Sequence, residues 1–232
     1  MKVIARIHTA FPQKFGIPRQ AGLIGGLRAR IVFEPGYRDP DAVRGIGGFS
    51  HLWLIWGFSK VPEKEFRPLV RPPRLGGEEK VGVFASRSPY RPNSLGLSSV
   101  RLIEVAFDEN GGPELVVAGA DLLDGTPIYD IKPYLAYTDS HPDASGGFTE
   151  EKEWPRLRLD FPPQLLAEVD EKLRAPLIQV LELDPRGAYD KGAGQVYGMR
   201  FSNYDIRFTV QGDLLRVQEV IDMSQGDHEK VK

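Results

Sequence analysis

The chain has 232 residues, of which 41% are hydrophobic and 27% charged, and it contains no cysteine. This length permits one sizeable core, or one full domain with a small second one, and the composition is ordinary for a globular protein. The lack of cysteine excludes disulfides, thiolate metal sites and cysteine nucleophiles. Any chemistry must therefore come from other side chains or from a bound cofactor.

Signals for membrane insertion or export are not evident in the sequence. No stretch approaches the ~20 uninterrupted apolar residues of a membrane helix. The first residues, MKVIARIHTAF, alternate polar and apolar character instead of forming the apolar block of a signal peptide. We therefore expect a cytoplasmic protein without a membrane partner.

The charges are distributed unevenly along the chain. Residues 1–101 carry 17 Lys and Arg against 7 Asp and Glu, a net +10, whereas the remainder carries a net −12. A basic region can bind a polyanion, since phosphate contacts supply much of the affinity for nucleic acids. A solvated basic surface explains the charge equally well, so the motifs must decide.

The first 122 residues predict an all-β barrel or sandwich. Short runs rich in β-branched and aromatic residues alternate with Gly and Pro clusters, and Asn110-Gly111-Gly112 predicts a hairpin turn. Neither a βαβ rhythm nor a Gly-rich strand-to-helix turn occurs, which argues against a Rossmann-type sheet. The predicted strands are Val3–His8, Leu27–Phe33, Phe49–Phe58, Val81–Ala85, Gly96–Phe107 and Glu114–Leu122.

A polar, loop-like stretch from Tyr137 to Pro155 reads as a linker before a second unit. Residues Pro163–Leu183 have helical periodicity, and Pro176 is expected to split them into two helices. Three alternating runs follow, at Gln195–Phe201, Asp205–Gln211 and Leu214–Ile221. The sequence therefore predicts a mainly β protein, with a small β-barrel domain at 1–140, a linker at 141–155 and a small α+β domain at 156–232.

The segment from Ala85 to Ser98 is the most unusual in the chain, because it holds two arginines and two prolines within six residues. Each proline fixes its own φ and restricts the residue before it, so the loop is stiff. Arginine offers a planar fork of donors that suits a carboxylate or a phosphate. A binding role for Arg87 and Arg91 is favoured, and the alternative is that both cap neighbouring carbonyl groups.

Further motifs follow one another along the chain, besides the arginine loop: KFGIPRQ at 14–20, GFSHLW at 48–53, RPPRLGG at 71–77 and DLLDGTP at 121–127 with DIKPY at 130–134. A shorter one, Asp184-Pro185-Arg186 with Ala188-Tyr189, lies in the second unit. Together these motifs resemble those of the TsaA-like family, also called the TrmO family, of tRNA N6-threonylcarbamoyladenosine methyltransferases, and the shorter one resembles the C-terminal motif of that family. In combination the motifs are far more specific than any one of them.

The resemblance implies an enzyme that moves the methyl group of S-adenosylmethionine to N6 of threonylcarbamoyladenosine, the modified base 3′ of the tRNA anticodon. It also implies a β-barrel that binds this cofactor, and a homodimer. A non-catalytic RNA-binding barrel, or a methyltransferase of the same fold with another acceptor, stays open as an alternative. The residues that the resemblance implies as cofactor contacts are Pro18, Arg19, Gln20, Arg87, Leu97, Ala118, Gly119, Ala120 and Asp121, with Ser59 and Lys60 where family members more typically have His and Gln.

Other candidate residues rest on weaker arguments. A general base could assist loss of the N6 proton, and Asp124 and Asp130 are candidates. Asp124 equally suits a turn, and Asp130 could pair with Lys132 or Arg87. The four histidines are widely separated in sequence, so no metal site is expected. Candidate contacts to the tRNA anticodon loop are Arg71, Arg74, Arg91, Arg186 and Tyr189.

Overall fold

The computed structural model describes residues 1–60, 66–72, 75, 79–150, 156–187, 192 and 194–225. The strands of its first part are β1 (Ala5–His8), β2 (Arg28–Phe33), β3 (His51–Gly57), β4 (Leu69–Val70), β5 (Val81–Gly82), β6 (Leu95–Phe107), β7 (Pro113–Ala118) and β8 (Thr126–Pro133). Six of these strands form a closed antiparallel barrel in the order β1-β2-β7-β6-β3-β8. The short strands β4 and β5 form a separate antiparallel pair.

The alternation of side chains along β3 shows how the barrel forms. Leu52, Leu54 and Trp56 point inward and are buried, whereas Trp53 and Ile55 between them are partly exposed on the outer face. A strand with this period of two buries one face and leaves the other available for contacts. The outer face of β3 and its neighbour β6 is therefore the surface on which a site can form.

The second part is a sheet whose strands are β9 (Arg158–Asp160), β10 (Val196–Phe201), β11 (Tyr204–Gln211) and β12 (Leu214–Asp222). Their order in the sheet is β10-β11-β12-β9, and β9 lies parallel to β12. The helices in the described chain are α1 (Ala136–Asp139), α2 (Pro163–Ala167) and α3 (Glu171–Glu182). None of them is long and apolar enough to cross a membrane within the residues that the structure describes.

The mainly β prediction and the barrel are confirmed, but several boundaries were wrong. The run Val81–Ala85 is a strand only to Gly82, because Val83–Ala85 forms a 3-10 turn. The run Glu114–Leu122 ends at Ala118, because Gly119 adopts φ +83° and turns the chain. Strand β8 was missed, since prolines at 127 and 133 interrupt its apolar pattern, and the short β9 was missed as well.

The expected helix break at Pro176 was also wrong. Pro176 lies inside α3 with its ring buried, and the break falls before α3, where the Asp170 side chain accepts from the Lys172 N–H. A proline inside a helix leaves one carbonyl of the preceding turn without its N–H partner. That carbonyl belongs to Lys172 in the exposed first turn, where water can hydrogen-bond to it.

The described residues contain two clusters of buried hydrophobic side chains. One fills the barrel, and the other lies between the second sheet and α3. Phe11, Ile24 and Leu27 precede β2 in sequence but belong to the second cluster. The Phe11 ring meets that of Phe201 edge to face, with centroids 5.8 Å apart. The connection between β1 and β2 is therefore anchored in the C-terminal core.

Candidate functional site

A cleft of about 820 Å³ lies along β3 and β6, and it is lined both by outward side chains such as Leu97 and by the inward side chains of Trp56 and Ser98. Residues 17–21, from the connection anchored in the C-terminal core, form one wall, and the arginine loop at 86–91 forms another. The aromatic and aliphatic side chains of Trp53, Ile55, Phe58 and Leu97 give the floor an apolar character. Concave apolar sites with a few polar groups are typical of small-molecule binding.

Most of the predicted cofactor contacts come together in this cleft. Ser59 and Lys60 line the cleft just beyond β3, after Phe58. Ala118, Gly119 and Ala120 do not line the cleft: both alanines are buried, and Gly119 forms the turn after β7, where its carbonyl accepts from the Gly22 N–H. The predicted residues that line the cleft are Pro18, Arg19, Gln20, Ser59, Lys60, Arg87, Leu97 and Asp121.

A chain of hydrogen bonds enters the cleft from the barrel. The indole Nε1 of Trp56 donates to Ser98 Oγ at 3.0 Å, and Ser98 Oγ donates to Asp121 Oδ1 at 2.6 Å. Burial raises the pKa of the Asp121 carboxyl, although the hydrogen bond from Ser98 and the nearby Arg87 oppose this effect. The cleft thus contains a fixed, partly desolvated carboxylate, which is suited to a cationic group of a ligand.

The position of Trp56 depends on a glycine in the neighbouring strand. A Cβ atom added to Gly96 would lie 2.2 Å from the Trp56 ring, so only glycine lets the indole cover β6 at this point. Gly96 pairs with Trp56 across the β3–β6 ladder. The ring is therefore held in place from both strands, and its N–H points to Ser98.

The two arginines of the loop have different partners. Arg87 donates to Gln20 Oε1 and so joins the two walls of the cleft. Arg91 donates through Nη1 to the carbonyl oxygens of Val83 and Ser86, at 3.2 and 2.7 Å. The carbonyl-capping alternative therefore describes Arg91, whereas Arg87 faces the cleft.

Arg19 connects the cleft to the C-terminal part. Its Nη2 donates to the carbonyl oxygen of Arg186 at 3.2 Å, and burial lowers the pKa of the Arg19 guanidinium despite the nearby Asp184. Arg186 forms a bidentate pair with Asp184, with N···O distances of 2.8 Å for both bonds. The hydrogen bond to Asp184 is the main cause that raises the pKa of Arg186. The Asp184-Pro185-Arg186 motif therefore supports a wall of the cleft through Arg19.

The two weak candidates for a general base lie outside the cleft. Asp124 accepts from the Thr9 N–H at 3.0 Å and lies 3.4 Å from His8 Nδ1, so it stabilises the turn before β8. Asp130 pairs with Lys132 at 3.5 Å on the outer face of β8. Asp124 and Asp130 therefore have the structural roles that the sequence left open as alternatives. That one of them acts as the general base stays a prediction.

A second, larger groove adjoins the cleft and shares the side chains of Arg19, Gln20, Arg87 and Arg91 with it. Of the predicted tRNA contacts, Arg71 and Arg91 line this groove. Arg186 lies apart from it, largely buried against Asp184. Two further predicted contacts, Arg74 and Tyr189, lie outside the described residues. In the described part of the chain, no group of His, Asp or Glu residues is arranged to hold a metal ion.

Comparison with known proteins shows which family has this barrel and cleft. The barrel with its external cleft belongs to a class of β-barrel proteins that is distinct from Rossmann-type enzymes. A family model described as the tRNA-methyltransferase O N-terminal domain matches residues 6–140, and the TrmO C-terminal domain matches residues 155–223. The chain belongs to the tRNA-methyltransferase O family, as the resemblance in its motifs predicted.

Named relatives cover nearly the whole chain. The Escherichia coli tRNA (adenine(37)-N6)-methyltransferase is 39% identical over 89% of this chain and 91% of its own length. A Pseudomonas aeruginosa protein named as a putative S-adenosylmethionine-dependent methyltransferase, RcsF, is 37% identical over 97% of each chain. A crystal structure of TrmO from P. aeruginosa matches with a TM-score of 0.75 at 32% identity, covering 96% of this chain and 97% of that one.

The hydrogen bonds that join Trp56 to Ser98 and Ser98 to Asp121 were not predicted from the sequence. A signal for them exists, because Ser98 is a polar residue at an inward position of β6, between Gly96 and Val100, and is 2% exposed. A buried hydroxyl needs a partner, so its position alone indicates a hydrogen bond. Its partners could not be read from the sequence, since they depend on the register of β3 against β6 and on the turn after β7.

Proposed function

We propose that this protein transfers the methyl group of S-adenosylmethionine to N6 of adenosine 37 in tRNA, and that the acceptor already carries the threonylcarbamoyl group. The observation that carries the proposal is the wall shared by a small apolar cleft and an open basic groove, formed by Arg19, Gln20, Arg87 and Arg91. One side suits a small cofactor and the other suits RNA. The names of the relatives from E. coli and P. aeruginosa support the same reaction and cofactor.

The residues of the cleft fit S-adenosylmethionine. Its volume of about 820 Å³ lies in the range of small-molecule sites. The apolar floor suits the adenine and thioether parts, while the Asp121 carboxylate suits an ammonium group and Arg87 suits a carboxylate. We propose Pro18, Gln20 and Leu97 as further contacts, together with Arg19, Ser59 and Lys60 at the edges. Of the other predicted contacts, Ala118, Gly119 and Ala120 support the turn that carries Asp121.

The bound cofactor would supply an activated methyl group. The protein's own contribution is then alignment and exclusion of water, because an in-line displacement needs no protein nucleophile. Arg87 joins the two walls through Gln20, and Arg19 ties the 17–21 wall to the C-terminal part. Such fixed walls hold a donor in one orientation toward an acceptor that arrives from the groove.

The experiment is an in vitro assay with S-adenosylmethionine and two versions of one tRNA, with and without the threonylcarbamoyl group. We expect methylation only of the modified tRNA, since the carbamoyl group acidifies the N6–H that must be lost. Equal methylation of both versions would contradict the substrate assignment. Binding of tRNA without methylation of either version would favour the non-catalytic RNA-binding alternative.

We also propose a cytoplasmic homodimer in which residues 1–140 form the catalytic domain, 141–155 the linker and 156–232 a domain that assists tRNA binding. Leu97 on the outer face of the barrel is 58% exposed, which supports a contact surface there. Trp53 is partly exposed on the same face, although its Nε1 donates to Asp139 at 2.8 Å. Light scattering at micromolar concentration should give twice the 25.9 kDa chain mass, and a monomer in the presence of cofactor would contradict the proposal.

A further inference from the structure

Three large aromatic side chains stand exposed in the groove beside the cleft. Phe84 is 70% exposed, Phe66 55% and Tyr90 47%, and all three line the groove. A single exposed aromatic residue needs no explanation, but a cluster in a concave surface marks a binding site. The cleft and its proposed cofactor do not use these rings, because none of them lines it.

Two of the rings are fixed relative to each other. Phe66 and Phe84 stack with centroids 6.3 Å apart and an angle of 27° between the planes. The guanidinium carbon of Arg91 lies 5.6 Å from the centroid of Phe84. Arg91 is itself held by the carbonyl oxygens of Val83 and Ser86. An arginine anchored in this way gives the exposed ring a defined position before any ligand arrives.

The positive charge of the groove indicates which class of ligand it binds. Its described lining carries seven Lys and Arg side chains, among them Arg67, Arg71 and Lys80, and no carboxylate from the described residues. Cations without intervening carboxylates suit a chain of phosphates. Exposed aromatic rings among such cations are the combination that binds unpaired nucleotides, because every base has a face that stacks. Single-stranded RNA satisfies both features at once.

We propose that Phe84, supported by Phe66, stacks against an unpaired nucleobase of the anticodon loop next to the acceptor adenosine. The inference rests on the proposed function, since it assumes that tRNA is the substrate. The shared wall of Arg87 and Arg91 separates the ring from the cleft. A neighbouring base held on the groove side leaves the acceptor base free to enter the cleft on the other side.

The test compares Phe84→Ala and Phe84→Trp with the wild type. Phe107→Ala is the matched control, because Phe107 is another exposed phenylalanine, at 55% against 70% for Phe84, and lines neither the cleft nor the groove. Two quantities are measured for each protein: equilibrium binding of an unmodified anticodon stem-loop RNA, and KM and kcat with threonylcarbamoylated tRNA. Calorimetry with S-adenosylmethionine reports whether the cleft is intact.

We expect Phe84→Ala to weaken RNA binding and to raise KM by at least about fivefold, the lower limit for loss of one stacked base. Affinity for S-adenosylmethionine and the salt dependence of RNA binding should not change, since no charge is removed. Phe84→Trp should restore binding, and Phe107→Ala should behave as the wild type. An RNA carrying abasic sites on both sides of position 37 should bind wild type and Phe84→Ala equally.

Two results distinguish this inference from the proposed function. Unchanged stem-loop affinity in Phe84→Ala would overturn the stacking site, while wild-type methylation of the modified tRNA would leave the proposed function standing. If the wild type methylates no tRNA but Phe84→Ala still loses affinity for the stem-loop, the proposed function fails and the stacking site stands.

Discussion

The cleft and the groove on either side of Arg87 and Arg91 use the same wall but different chemistry. In the cleft, a carboxylate is desolvated and fixed by Ser98 and, through it, by Trp56. In the groove, exposed cations and aromatic rings occur without a carboxylate among the described lining residues. The first surface is built around one internal hydrogen-bond chain, whereas the second is open to solvent.

This difference follows from what each surface has to recognise. A small ligand gains affinity from a few groups that are already oriented, because little ordering is left to occur on binding. A polyanion gains affinity from many exposed cations that release counterions. We therefore expect single substitutions in the cleft to have large effects on cofactor binding, and those in the groove to have smaller effects that depend on salt.

The largest effect is expected for Arg87→Ala. The change removes the guanidinium that bonds to Gln20 Oε1 and that faces the proposed cofactor. Affinity for S-adenosylmethionine should fall by about 1.5–3 kcal/mol, the range for loss of a hydrogen bond to a charged group. Calorimetry measures it directly.

Arg71→Ala is the control for this comparison, because Arg71 lines the groove but not the cleft. It should bind S-adenosylmethionine as the wild type does. If Arg87→Ala bound S-adenosylmethionine as tightly as the wild type, or if both variants lost the same affinity, the cleft and the groove would not have the separate roles proposed here.

A smaller effect concerns stability and pH at Asp121. Because burial raises its pKa in the folded protein, this group favours folding most below the ordinary Asp value of about 3.9, and that contribution is lost as the pH rises through the raised value. Asp121→Asn does not titrate. Its free energy of unfolding should therefore increase relative to the wild type as the pH rises above about 4, by at most about 1.4 kcal/mol per pH unit.

Urea unfolding of the wild type and Asp121→Asn between pH 3.5 and pH 7 gives this difference as a function of pH. Asp130→Asn serves as the matched control, since Asp130 lies on the barrel surface paired with Lys132. A difference that stays constant with pH, or that shrinks as the pH rises, would show that the folded protein does not raise the pKa of Asp121.

Local patterns predicted most of the fold. The alternation in β3 and the turn at Asn110-Gly111 depend on neighbouring residues only, and both are present in the structure, with Gly111 at φ +75°. Strand β8 escaped prediction because its pairing with β1 and β3 overrides two prolines that locally indicate loops. Tertiary contacts decided what local propensity could not.

The site was predictable to a smaller extent. The family motifs named Arg87 and Asp121, and the structure brings them to one cleft. Other features depend on residues distant in sequence: Phe11 joins the C-terminal core, and Arg19 reaches the carbonyl of Arg186. Removing the residues after 155 would expose Phe11, so a truncation would disturb the 17–21 wall as well as tRNA binding.

The smallest expected effect is that of Arg71→Ala on tRNA, and it tests the groove by its salt dependence. Arg71 is an exposed residue that follows β4, so its loss should not affect folding. If it contacts one phosphate, the slope of log affinity against log salt concentration should become less steep by about 0.7–0.9, the contribution of one neutralised phosphate. Affinity should fall clearly at low salt and little at high salt, because the counterion effect diminishes there.

Phe84→Ala is the control for this salt dependence. Because the ring is uncharged, its removal should lower the affinity for RNA by the same factor at every salt concentration. Parallel salt titrations of the two variants with one stem-loop RNA therefore separate the two kinds of contact. An unchanged slope in Arg71→Ala would remove this residue from the phosphate-binding surface and leave the remaining cations of the groove to carry it.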